Sequence, residues 1–126
     1  MKVLLVETDH AVRDRIKVAF QQIEGSSVDT AEDSWALELA KESPYDAVVI
    51  ADTLQAPGDG LQILKDLRAG GLTGPVILLS HGSADAGHKD REGINAAAVL
   101  TVPPDTLDIF KAVLTVQERL APPQYP

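Results

Sequence analysis

Three stretches of the chain, "KVLLV", "AVVIA" and "PVILLS", are short unbroken apolar runs rich in branched side chains. Such runs predict strands buried on both faces of a parallel sheet, because a half-exposed antiparallel strand would alternate apolar with polar. "SSVDTA" and "AAAVLTV" are weaker strand candidates. Between the strands the period lengthens. Val12, Ile16, Ala19, Phe20 and Ile23 line one side of a first helix, with Arg13, Asp14, Arg15 and Lys17 mostly off the stripe. Asp33 can cap a second helix carrying Leu37 and Ala40, with Trp35 on its outer side. A third helix carries Leu61, Leu64 and Leu67 and stops at Gly70 and Gly71. "GSADAGHKDREGIN" is polar and glycine-bearing, so its helix should be the least stable of the set. After "VPPD", the residues Leu107, Ile109, Phe110, Val113, Leu114, Val116 and Leu120 build a last helix whose apolar arc is too wide for one buried stripe.

Strands alternating with helices imply right-handed crossovers and a sheet covered on both faces, hence a five-stranded doubly wound α/β domain with five helices. Ligands and chemistry gather beyond the carboxyl ends of the strands in such folds. Those ends carry Glu7, Thr8, Asp9 and His10, then Ala51 and Asp52, then Ser80 and His81.

Composition narrows the function. The chain has 126 residues, which suits one domain, read as 1–120 with 121–126, "APPQYP", as a linker or tail. A net charge of -8 and no Lys/Arg cluster argue against nucleic-acid binding by this domain. The apolar runs are strand-sized, so no membrane span is expected. The absence of cysteine, with no export pattern in "MKVLLVETD", favours the cytoplasm.

At the level of motifs, residues 2 to 118 resemble the receiver domains of two-component response regulators. "VLLVETDHAVRDRI" resembles the family's first strand, acidic turn and first helix, and "YDAVVIADTLQAPGDGLQILKDLR" its phosphoacceptor strand, loop and third helix. "GPVILLSHGSAD" and "AAAVLTVPPDTLDIFKAV" are similar to its fourth strand, fifth strand, proline and last helix. The resemblance implies a flavodoxin-like (βα)5 fold with strand order 2-1-3-4-5 and a cis bond before Pro103. It also implies a site in which two adjacent carboxylates and an acceptor aspartate hold magnesium while a hydroxyl and a lysine grip the phosphoryl oxygens.

The chain departs from that site. The acidic pair falls on Glu7 and Thr8, one carboxylate short, and Asp9 is one residue late. The lysine position, before Pro103, holds Val102, which cannot donate to a phosphoryl oxygen. Ser80 keeps the hydroxyl, whereas the family's switching aromatic corresponds to Val99, and Asn95 stands at a usual glycine. Relative to the family pattern one residue is inserted between Asp46 and Asp59. Counting from Asp46 puts Ala51 in the acceptor slot, whereas counting back from Asp59 and Gly60 puts Asp52 there. Because a loop absorbs an insertion more easily than a buried strand, the expectation favours Ala51, with Asp52 displaced into the loop.

The resulting expectation is a non-enzymatic pseudo-receiver that acts by protein–protein interaction, with no cofactor expected. One alternative is a slow phosphoacceptor using Asp52, with magnesium on Glu7 or Asp9. Another is a metal or small-molecule sensor around Asp52, Ser80 and His81. Metal ligands, if any, would be Glu7, Asp9 and Asp52, set against solvated acids around a relic pocket; His10 and His81 share no ligand-spaced motif. A protein partner or second copy is expected on the fourth helix, fifth strand and fifth helix, a face carrying Val99, Pro103, Ile109, Val113 and Val116. On that reading Leu107, Phe110 and Leu114 face the sheet. An effector domain in the parent protein would be the regulated output.

Overall fold

The computed structural model describes residues 1–81 and 96–120. Five parallel strands, β1 (Lys2–Val6), β2 (Ser27–Ala31), β3 (Ala47–Ala51), β4 (Val76–Ser80) and β5 (Ala98–Thr101), form one sheet in the order β2-β1-β3-β4-β5. The described helices are α1 (His10–Gln21), α2 (Trp35–Glu42), α3 (Asp59–Ala69) and the last helix, α4 (Thr106–Leu120). The helix expected in "GSADAGHKDREGIN", together with Asn95 and the tail 121–126, lies outside the described residues.

Helix α1 packs against α4 and α2 against α3, so the two pairs cover opposite faces of the sheet. Residues 3–6 of β1 and all of β3 and β4 are buried, as their unbroken apolar character requires. Val12, Ile16, Ala19 and Phe20 bury the predicted face of α1, and Leu61, Leu64 and Leu67 that of α3. In α2, by contrast, the buried residue is Ala36; Leu37 and Ala40 are partly buried, and Trp35 is 57 % exposed.

Acidic side chains stand at the starts of α1, α2 and α4. The Asp9 carboxylate accepts the Ala11 and Val12 N–H groups at the start of α1, Asp33 accepts that of Trp35, and Asp105 that of Leu107. The Val102–Pro103 peptide bond is cis, as expected. Its loop is tied to α1 by Arg15, whose guanidinium donates to the Pro104 carbonyl at 2.6 Å and to Thr106 Oγ1 at 2.9 Å.

The last helix is turned the other way from the sequence expectation. Ile109, Ala112, Val113 and Val116 are its buried residues, while Leu107, Phe110 and Leu114 are exposed. Ile109, Val113 and Val116 are therefore core and not interaction surface. Both stripes have helical spacing, but Ala112 lies beside the first, and its small side chain lets the helix backbone approach the sheet closely.

Candidate functional site

The carboxyl ends of β1, β3 and β4 bring three buried polar side chains to one edge: Glu7 at 0 %, Asp52 at 6 % and Ser80 at 4 % exposure. Parallel register places them there. Val6 pairs with Ile50 and Ala51 with Leu79, so the residues that follow these strands emerge side by side.

Asp52 does not lie out in the loop. The register of β3 is regular against both neighbours, without a bulge, and the Asp52 N–H extends the ladder by donating to the Leu79 carbonyl at 2.9 Å. Its own carbonyl accepts the Gly60 N–H at 3.1 Å, and its Oδ1 accepts the His81 N–H at 3.0 Å. The chain turns away only after Asp52, because α3 begins directly against this strand end. A β-carbon on Gly60 would fall inside the contact distance of the Ala51 carbonyl oxygen, so only glycine permits the approach. Ala51 itself is fully buried at the end of β3.

The loop between β3 and α3 is gathered by one side chain. Asp59 Oδ1 accepts the Leu54 N–H at 2.7 Å, and Oδ2 those of Gln55 and Ala56 at 2.9 and 3.0 Å. Burial by itself would raise the Asp59 carboxyl, but the backbone donors of Gln55, Leu54, Ala56 and Gly60 outweigh it and hold it below its ordinary value. In the sequence Asp59 served only, with Gly60, as a mark for counting back to the acceptor slot.

Glu7 is the most enclosed acid of the edge, and every acceptor direction it uses is filled from within. Oε1 accepts the Thr8 and Asp9 N–H groups at 2.9 and 3.1 Å, and Oε2 lies 2.7 Å from His81 Nε2. Thr8 turns its hydroxyl to the Leu54 carbonyl at 3.4 Å, bridging the loops after β1 and β3. The Asp9 carboxylate is committed to capping α1, away from a shared ion. His10 belongs to a separate surface cluster, with Arg13 at 2.7 Å and Glu32 at 3.6 Å, so the two edge histidines do not converge.

This donor set does not fit the magnesium ion that the resemblance implied. Octahedral coordination needs several oxygens facing one point. Here Glu7, Asp9 and Asp52 each spend carboxylate oxygens on protein N–H groups, and no three Asp, Glu or His side chains converge as ligands among the described residues. At the lysine position Val102, partly buried beside the core, offers no donor from its side chain. A cavity of about 680 Å³ lies between α2 and α3 at the opposite edge, lined by Leu37, Tyr45, Leu67 and Leu72, and includes none of these groups.

Sequence reasoning named each residue of this edge but missed the Glu7–His81 pair. The available signal was a lone acid at the end of a fully buried strand, which needs a partner, and a histidine immediately after another.

The model of the response regulator receiver domain family matches residues 3–113. The chain is 36 % identical over 100 residues to the transcriptional regulatory protein QseB of Escherichia coli O157:H7, covering 78 % of this chain and 43 % of that one. It is 31 % identical over 99 residues to the response regulator MprA of Mycobacterium sp. (strain KMS), with 78 % and 41 % covered. It thus spans less than half the length of these curated relatives. Among solved structures, a Francisella response regulator 1452 receiver domain superposes with a TM-score of 0.74 at 25 % identity, over 95 % of this chain and 98 % of that one. The chemotaxis response regulator CheY4 of Vibrio cholerae does so with a TM-score of 0.76 at 21 % identity, over 91 % and 97 %. With order β2-β1-β3-β4-β5, an acid-bearing sheet edge and a family match across nearly the whole chain, this protein belongs to the response regulator receiver domains of two-component signalling.

Proposed function

We propose that this receiver domain is a pseudo-receiver, which signals by binding protein and takes up little or no phosphoryl group on aspartate. The observation that carries the reading is the shortage of positive charge at the edge. One carboxylate of the metal-holding pair is Thr8, the lysine position is Val102, and Glu7 is already engaged by His81. Groups that offset developing charge are worth about a hundredfold or more in rate each, so losing two leaves transfer very slow. No enzymatic activity and no cofactor are assigned to the domain.

One observation favours a second reading, a slow phosphoacceptor: Asp52 is held in line with β3, beside the strand end that carries Ser80. Titration with magnesium and beryllofluoride followed by amide NMR separates the two. The pseudo-receiver gives no saturable shifts at Asp52 and Ser80. Saturable shifts that vanish in Asp52→Asn would replace it with the phosphoacceptor.

Output is assigned to β5 and α4, where Val99, Leu107, Phe110 and Leu114 are exposed and Pro103 adjoins them. Exposed apolar residues at helical spacing suit a protein partner or a second copy. The greater length of the relatives, one of them called a transcriptional regulatory protein, supports an effector domain joined to residues 1–120 through 121–126. The net charge of -8 supports a reading in which any nucleic-acid contact of the parent protein lies outside this domain. A cytoplasmic location suits the cysteine-free composition, and no described helix is long and apolar enough to cross a membrane.

A further inference from the structure

We propose that His81 is a built-in occupant of the acidic pocket, joining Glu7 to Asp52 in place of a divalent cation and keeping the pocket closed to one. The proposal rests on the pseudo-receiver reading and gives it a physical cause beyond the missing residues. One residue supplies two donors of different kinds. Its backbone N–H reaches Asp52 Oδ1 at 3.0 Å, and its ring nitrogen Nε2 reaches Glu7 Oε2 at 2.7 Å. The ends of β1, β3 and β4 are thereby tied through a single residue.

The direction of the ring bond follows from its surroundings. With Glu7 as a carboxylate, Oε2 accepts as Oε1 does, and the hydrogen is therefore assigned to Nε2. The pair is also placed to be exclusive. Glu7 is fully buried, whereas the His81 side chain keeps 24 % of its surface, so the imidazole is the member of the pair that meets solvent. A buried carboxylate stripped of its partner is costly, and any ion seeking Glu7 must first displace the ring. A cation entering the pocket therefore competes with a bond that folding has already made.

The test is magnesium chloride titration of the folded chain, followed by amide NMR at millimolar ion, for the unaltered protein, His81→Ala and His81→Gln. The unaltered protein should give no saturable shifts. His81→Ala should give them at Glu7 and Asp52, with affinity higher by about ten- to a hundredfold, the scale of one charge-assisted hydrogen bond. His81→Gln, which keeps a side-chain N–H donor, should fall closer to the unaltered protein. Identical responses from the unaltered protein and His81→Ala overturn the proposal. If both are flat, the pseudo-receiver reading stands without the histidine; if both saturate and beryllofluoride then adds at Asp52, that reading falls too. Should His81→Ala fail to fold, a long-range proton–nitrogen spectrum of the unaltered protein decides the matter. A ring fixed with hydrogen on Nε2 supports the occupant, and a ring averaged between tautomers overturns it.

Discussion

Gly60 and Asp59, side by side in the chain, act on the same strand end for different reasons. The glycine matters for the space it leaves, since its neighbour is backbone that cannot retreat: the carbonyl of Ala51. Gly60→Ala should therefore lower unfolding free energy by about 3 kcal/mol or more, seen as a large fall in the urea midpoint; a change under about 1 kcal/mol would show that α3 can back away from β3. Asp59 matters for the charge it offers to three backbone N–H groups. Its folded carboxyl is held below the ordinary value of 3.8, so its stabilisation is complete above that pH and is lost as pH falls through the lowered folded value. Asp59→Ala should cost about 1–2 kcal/mol at neutral pH and flatten the acid limb of the stability profile; equal acid limbs in both proteins would refute the role. In the sequence the dipeptide was legible as a register mark. The amides around Asp59 lie three to five residues back and the carbonyl facing Gly60 nine residues back, so both depend on how this loop folds onto the strand end and not on a repeating apolar pattern.

At the scale of the element, α4 illustrates a limit of periodicity. Leu107, Phe110 and Leu114 recur as regularly as Ile109, Val113 and Val116, so periodicity does not choose between the two stripes. The rotation of the helix is set from outside, by the Asp105 cap, by the Arg15 bonds to Pro104 and Thr106, and by the close approach that Ala112 allows. Val113→Asp should consequently unfold the domain or cost it more than about 3 kcal/mol, by placing a charge in the core. Phe110→Asp should stay within about 0.5 kcal/mol in stability while weakening self-association or partner binding in sedimentation or pull-down experiments. Reversal of these two stability effects would mean that the helix is turned the other way. The strands were simpler to read, because burial on both faces leaves no choice of face to decide.

For the whole molecule, restoring the missing charge should restore phosphoryl uptake. Thr8→Asp, Val102→Lys and His81→Ala together supply a second carboxylate and a cation, and free Glu7. This triple variant should take up phosphoryl from acetyl phosphate in a magnesium-dependent way, at Asp52, at least about a hundredfold faster than the unaltered chain. Phosphate-affinity gels and intact mass would follow it, with Asp52→Asn in the triple background as control. A folded triple variant that stays inert would show that charge is not what the edge lacks.

The sequence by itself determined the architecture: unbroken apolar runs demand a sheet covered on both faces, and the alternation with helical stripes demands crossovers that make it parallel. It also determined which residue types reach the carboxyl edge, because strand ends follow directly from the runs. Only the tertiary structure decided how those residues are used. That Asp52 stays in the ladder, that α4 buries Ile109 and Val113, and that His81 closes over Glu7 all depend on contacts between segments distant in the chain. Periodicity reports the faces of an element, whereas partnership depends on register and rotation, which are set only when the elements pack together.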